Sequence, residues 1–484
     1  MTDTNLNEEP SQTVAPESPV QDPEQRVAEE RVAEEPGGAE MSLAGFPPPV
    51  ESLAHRSFLG FLGTQFFGAF NDNLFKQLLL LLAVPAAAAG VAEATASGEQ
   101  PPDLQGVATM VFGIPFVVFG GVAGYLADRW SKTTIIVASK FGEVLVMLLG
   151  LAGFLLAPVV GFYGLWVVLF LMGLQSTFFG PGKYGILPEM LPRSQLSRAN
   201  GLVLMTTFIA IIIGTAVAGP LKDGLMGEEL PQLQAARGLW VASVVCVVIA
   251  VAGVLTSLTI VRIPAAEPDL KLRPQNCFVP GVMLRLLGKD RPLLLALLAS
   301  CVFWLIAGLT IQAVNSLGKV QLGLSDTLTS LMVALISVGI AVGGGLAGVI
   351  SRRASEALVI RIGMWGVVLF SGLLAITIPG RGHLLGYAGT IPVLMLLGTS
   401  AALFAIPIQV FLQSRPPDAL KGRMIAVMNQ ANFLAIVLAG ALYQLLDALI
   451  NAADWPRSAV FAAMAILFLP VAILYRLEPA ESTV

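Results

Sequence analysis
Charge is scarce in this sequence. Asp, Glu, Lys and Arg make up 12% of the 484 residues against 55% hydrophobic ones, and the mean hydropathy is +0.78. That balance excludes a soluble globular domain and points to a polytopic helical membrane protein. Histidine is scarcer still. His55 and His383 are the two in the chain, too few for imidazole-based metal or triad chemistry. The three cysteines, Cys246, Cys277 and Cys301, stand far apart and show no ligand spacing, so neither a disulfide framework nor a metal site is expected. No basic stretch followed by an apolar run opens the chain, and no signal peptide is expected there. The apolar segments are continuous rather than alternating, which excludes a transmembrane barrel. No cofactor and no nucleic-acid partner is expected.

What is present is unevenly spread. Residues 1–40 hold eleven acidic groups against Arg26 and Arg31, with Arg-Val-Ala-Glu-Glu repeated at 26–30 and 31–35. Such a segment lacks the apolar content to fold alone, so residues 1–50 are expected to form a disordered acidic tail. Twelve apolar segments follow, near 58–84, 106–127, 133–157, 161–180, 200–221, 238–261, 292–315, 328–350, 357–378, 387–411, 424–448 and 458–476. Each is long enough to span a bilayer as a helix. The longest internal polar stretch divides them six and six. This predicts an all-α membrane protein with an N-terminal six-helix half over 51–261, a central loop over 262–291 and a second half over 292–478. Alternate loops hold seventeen and five basic residues. That asymmetry places both termini and the central loop in the cytoplasm.

The first apolar segment carries the most informative residues. Asp72 and Lys76 lie four apart on one helix face, with Gln65 on the same face and Asn71 and Asn73 beside them. An ionisable residue at that depth costs roughly 2.5–3.5 kcal/mol on insertion scales, so the stripe should face a cavity or other helices. Lys76 is a candidate partner for an oxyanion. Asp72 is a candidate to neutralise Lys76 or bind a coupling cation, unless the two form a structural pair. Glu143, with Lys140 three residues before it, completes a charge network or simply pairs with that lysine. Gln312 is a candidate cavity residue, unless it ties helices together as intramembrane amides commonly do.

Gly124-Tyr125-Leu126-Ala127-Asp128-Arg129-Trp130-Ser131-Lys132 joins the second and third segments. It resembles the cytoplasmic signature of the major facilitator superfamily, whose fold is two six-helix halves with a site between them. Gly124 is expected to allow close helix approach and Asp128 to accept hydrogen bonds at a neighbouring helix N-terminus. Arg129 and Lys132 are expected to pair across the loop, with Lys183 and Arg198 completing a cytoplasmic gate. Pro192 to Arg198 is echoed by Pro417 to Arg423 at the same spacing, a weak internal repeat.

A narrower resemblance rests on several segments together. Ala69-Phe70-Asn71-Asp72-Asn73-Leu74-Phe75-Lys76 looks like the first-helix motif of bacterial lysophospholipid transporters. Pro181-Gly182-Lys183-Tyr184-Gly185-Ile186-Leu187 looks like that family's segment after the fourth helix, and Ala199-Asn200-Gly201 follows in place. Phe303-Trp304 with Gln312, and Ile406 to Arg415, resemble its seventh and tenth helices. Stand-alone transporters of the family have Gly where Asn71 sits, so the chain is closer to the transporter half of fused acyltransferase and acyl-acyl-carrier-protein synthetase proteins. The acyltransferase His-x-x-x-x-Asp signature fails at both histidines, and no enzyme activity is expected. The resemblance implies an inner-membrane carrier of lysophospholipids, supplying a cytosolic acyltransferase or synthetase. A superfamily exporter or symporter for drugs or small solutes is the alternative.

Overall fold
The computed structural model describes residues 52–85, 102–226, 232–271, 281–350, 355–380, 382–417 and 420–475, without the side chains of Tyr184 and Arg193. The expected acidic tail over 1–50, Cys277 and the pair Arg352–Arg353 lie outside these residues. The described chain is almost wholly helical. The long helices are α1 (Arg56–Ala83), α2 (Gln105–Arg129), α3 (Lys132–Val160), α4 (Phe162–Met190), α5 (Arg193–Leu225) and α6 (Gln232–Ser257). After a connecting helix over Gly281–Lys289 come α7 (Arg291–Ser316), α8 (Asp326–Ile350), α9 (Glu356–Ala375), α10 (Gly386–Ser414), α11 (Lys421–Ala452) and α12 (Ala459–Leu474). Among the described residues, ten helices are long and apolar enough to cross a membrane. The other two are α1, which carries the polar stripe, and α12, with 16 residues.

Helices dominate because a backbone in lipid must satisfy its own hydrogen bonds. Internal prolines such as Pro115, Pro181 and Pro407 sit within helices without ending them. Caps are supplied locally. The Asp290 carboxylate accepts from the Leu293 N–H at the start of α7, with Pro292 in the first turn. Ser355 does the same for Leu358 at the start of α9.

The packing repeats with a period of six helices. In the first set α1 packs on α5 and α6, α2 on α4, and α3 on α4 and α6. In the second set α7 packs on α11 and α12, α8 on α10, and α9 on α10 and α12. The sets meet along two seams, α2 on α11 and α5 on α8, which exchange under the same shift. The packing thus falls into two sets related by a shift of six helices. An even number of passes brings Arg56 and Leu474 to one end of the molecule, the terminus end; the other is the far end.

Two expected boundaries need correction. The apolar pattern puts Lys183 in a loop after the fourth segment, and Arg198 in a loop before the fifth. Lys183 lies inside α4 and Arg198 inside α5, and only Leu191–Pro192 separates those helices. Counting apolar residues stops a helix at its first polar turn. Tertiary packing carries α4 further: a Cβ on Gly185 would stand 2.6 Å from Lys132 Cε, so α3 and α4 touch here.

The apolar core differs between the sets. In the first, Leu74, Phe75, Phe154 and Leu169 belong to one cluster towards the far end. Phe58, Phe61, Ile136 and Ile186 belong to another towards the terminus end. In the second set one main cluster runs from Met283 to Ala472 and reaches both ends.

Candidate functional site
A polar layer separates the two clusters of the first set. At its centre Lys140 and Glu143, one turn apart on α3, form an ion pair at 2.6 Å. Lys140 is 2% exposed and Glu143 not at all. A buried pair is costly unless its remaining valences are met. Asn71 on α1 donates its amide to Glu143 at 2.9 Å, and Lys140 Nζ stands 4.7 Å from the Phe179 ring centroid on α4. Gly68 makes the room, because any Cβ there would collide with Lys140 Nζ. Gly68 and Asn71, one turn apart on α1, thus both serve an ion pair on another helix.

The next turn of α1 faces differently. Asp72 accepts from the Ser176 hydroxyl at 2.7 Å and from Gln175 at 3.5 Å, both on α4. Lys76 Nζ stands 5.4 Å from the Phe112 ring centroid on α2. Among the described residues Lys76 has no carboxylate within ion-pair distance and no hydrogen-bond acceptor. Asp72 and Lys76 share a face within Coulombic reach of each other, but they form no ion pair, and each reaches a different neighbouring helix. Asn73 turns its amide back to the Ala69 carbonyl at 2.7 Å.

The sequence-selected residues thus divide. Asp72, Asn73 and Lys76 keep part of their surface exposed, whereas Asn71, Glu143 and Gln312 have none. Gln312 donates to the Gly308 carbonyl of its own helix at 3.0 Å, and its side-chain oxygen is buried without a partner. The neutral and charged groups of the stripe come together; Gln312 belongs to a different neighbourhood, described below.

The signature loop is open. A Cβ on Gly124 would meet nothing within 4 Å, contrary to the close approach expected of it. The Asp128 side chain is exposed and caps no helix N-terminus; its backbone carbonyl accepts from the Glu267 N–H at 2.8 Å. Arg129 binds the Tyr125 hydroxyl of its own helix rather than crossing the loop. Lys132 is buried and ion-paired to Glu189 on α4. Lys183 is half-buried and Arg198 exposed. The segment after α6 lies across this region: Tyr125 donates to the Leu270 carbonyl at 3.1 Å, and Thr133 donates to that of Val261 at 2.8 Å.

The far end is closed by polar groups that sequence reading passed over. On the α5–α8 seam Asp326 binds both Lys222 and Lys319, and Lys319 also donates to the Leu81 carbonyl at the end of α1 at 2.9 Å. A π-turn over Leu317–Gln321 brings Lys319 there, a local widening common at functional positions. Asp223 accepts from the N–H groups of Asp326 and Thr327, the first turn of α8. On the α2–α11 seam Gly106 and Gly440 leave no room for side chains between the backbones. Gln105 accepts from Asn315 at 2.8 Å, which accepts from Gln77 at 2.9 Å. One signal could have flagged part of this set. Lys222, Lys319 and Arg457 are three of the five basic residues on the sparse side of the charge count, and all three are ion-paired.

The Major Facilitator Superfamily profile matches residues 64–440. The chain is 28% identical over 411 residues to the lysophospholipid transporter LplT of Serratia proteamaculans (strain 568), covering 82% of this chain and 90% of that protein. It is 29% identical to LplT of Salmonella gallinarum, covering 81% and 89%. Among solved structures, the nucleoside transporter NupG superposes with a TM-score of 0.56 at 15% identity, covering 86% of this chain and 96% of that one. The xylose transporter XylE of E. coli, in an inward open conformation, gives 0.55 at 13%, covering 88% and 97%.

Proposed function
From the premise that the chain belongs to the Major Facilitator Superfamily and is a multi-pass membrane transporter, we propose that it carries lysophospholipids across the bacterial inner membrane. Lys76 carries this reading. An ammonium group inside a membrane protein costs several kcal/mol unless something answers its charge, and among the described residues no carboxylate pairs with it, Asp72 one turn away acting only at a distance. A phosphate head group supplies that charge, with Lys76 as a compact donor. Asp72, held by Ser176, and Asn73 flank it as polar neighbours for the rest of the head group. Asn71, Glu143 and Lys140 act from behind, fixing α1 against α3 so that Lys76 points out of the apolar core. Gln312 supports α7 near the closed end. The two relatives named lysophospholipid transporter support the substrate class.

The excess of basic residues at the terminus end puts that end in the cytoplasm. The sealed far end then faces outwards, and the structure is the state that opens to the cytosol. In the opposite state the far end parts and the signature loop closes, with Gly124, Asp128, Arg129, Lys132, Lys183 and Arg198 as its gate. We read the chain as a carrier without catalysis of its own, delivering the lysolipid to a cytosolic acyltransferase or acyl-acyl-carrier-protein synthetase.

The test is uptake of labelled lysophospholipid into proteoliposomes. Lys76→Ala is expected to lower uptake at least tenfold while leaving yield and melting temperature near those of the parent. Normal uptake by a stable Lys76→Ala protein would remove the head-group assignment and favour a drug or small-solute carrier. Orientation is read separately. A cysteine at exposed Tyr163, at the far end, is expected to react with an impermeant thiol reagent on intact cells, and one at Arg198 is not. The reverse pattern overturns the orientation.

A further inference from the structure
The connecting helix over Gly281–Lys289 takes no part in the candidate site. It lies at the terminus end, one residue ahead of α7. Met283 and Leu287 fix its roll, both buried in the main cluster of the second set, with Leu286 partly buried beside them. The rest of its apolar surface is uncovered: Val282 is 47% exposed and Leu284 59%. At helical spacing the apolar arc runs from Val282 through Leu286, Met283 and Leu287 to Leu284, wider than the strip the bundle covers. Arg285 and Lys289, four residues apart, stand on the remaining side, and both are exposed.

Two further observations say what this surface meets. The first is charge. Asp290 is the one acid between Lys271 and Ser325, and it is already engaged, ion-paired to Arg415 at 2.7 Å and capping α7. Arg285, Lys289 and Arg291 are exposed, and among the described residues none of the three has a carboxylate partner. The second is depth. Arg291, Leu295 and Leu298 are exposed at i, i+4 and i+7 on α7, so one face of that helix is turned to lipid from its first turn. Arg291 at the edge of that face marks the head-group layer, to which long basic side chains reach out. Lys289 precedes it by two residues, and the Asp290–Arg415 pair holds the junction to the end of α10. The connecting helix therefore ends at the level of the lipid head groups rather than in open water.

We propose that the connecting helix is a binding surface for anionic phospholipid in the leaflet at the terminus end. Val282 and Leu284 enter the boundary between acyl chains and head groups, and Arg285, Lys289 and Arg291 hold the phosphates. Anionic lipid fits because it supplies both things the surface lacks, apolar cover and negative charge. A second copy of this chain in a two-fold contact would instead bring the same cations face to face. The lipids bound are those of the surrounding bilayer, not the transported solute. Each lysine or arginine near an anionic membrane strengthens binding about fivefold, and salt weakens the effect.

The inference needs the chain to lie in a membrane but not the lysolipid reading, and its test contains no lysolipid. A nitroxide at Leu284→Cys, in otherwise cysteine-free full-length protein, is placed in nanodiscs of phosphatidylcholine with or without phosphatidylglycerol. Collisions with a water-soluble nickel chelate separate exposed from shielded label. Phosphatidylglycerol is expected to move the label from exposed to shielded, and high salt to move it back. Arg285→Gln and Lys289→Gln are each expected to lower the shielded-to-exposed ratio about fivefold, and together about twenty-fivefold. A label equally exposed in both lipids overturns the proposal, as does shielding that salt and both substitutions leave unchanged. Shielding in detergent without phospholipid also overturns it, because a protein contact would then cover Leu284. The salt titration without either glutamine substitution decides the matter even if those variants fold poorly.

Discussion
The two six-helix sets share one packing scheme but not one interior. The first is divided by a polar layer built on Lys140, Glu143 and Asn71, with apolar clusters on either side. The second is mainly one continuous apolar cluster, and its buried polar contact between α7 and α11 is modest, Ser300 donating to Asn432 at 2.9 Å. The same pairing of helices therefore does not require the same chemistry. The first set places charge at mid-depth, while the second supplies an apolar surface to move against.

Breaking the buried pair should give the largest effect. Glu143→Ala leaves Lys140 uncompensated, and a loss of about 3–5 kcal/mol is expected, read as a large fall in melting temperature in detergent. Replacing the pair together with the amide that serves it, Lys140→Met, Glu143→Leu and Asn71→Leu, makes the first set resemble the second. Stability is expected to return to near the parent value while lysolipid uptake fails. Recovery of both would mean that the polar layer is dispensable. Gly68→Ala should come next, at about 1–3 kcal/mol, because Lys140 is pinned by Glu143 and cannot retreat; a cost at Gly68 that is absent from Gly120→Ala, where a Cβ would meet nothing within 4 Å, would sharpen the contrast. Ser300→Ala, in the second set, should cost only about 0.6 kcal/mol, the usual size of an interhelical hydrogen bond in a membrane. Asp128→Asn should change stability by less than about 0.5 kcal/mol, since the side chain is exposed. Its effect is expected in flux, as slower turnover with unchanged lysolipid binding.

Much of this was legible in the sequence, for identifiable reasons. The long apolar runs follow from bilayer thickness, the expected division follows from the polar stretch at 262–291, and the stripe through Asp72 and Lys76 follows from helical spacing. The ends of α4 and α5 do not, because the turns around Lys183 and Arg198 are held by α3 and by packing rather than by their own apolarity. The stripe puts Asn71 among the substrate residues, yet it serves Glu143, a partner 72 residues away that no local pattern announces. In the sequence the far-end groups look like loop charges that set orientation. Asp103 and Asp447 meet only when α2 and α11 pack, and a periodicity argument is blind to that.

The sealed far end also has an electrical side. On the proposed reading, in which the sets part towards the terminus end, water carries that side's potential inwards, so a membrane voltage falls mainly across the thin closed plug. Lys222, Lys319 and Arg457 stand there with Asp223, Asp326 and Asp447, charges that shift within the field when the far end parts. Each elementary charge crossing 100 mV is worth about 2.3 kcal/mol. The plug is thereby a voltage-sensitive layer as well as a seal, and the resting potential of the cell bears on how often it opens.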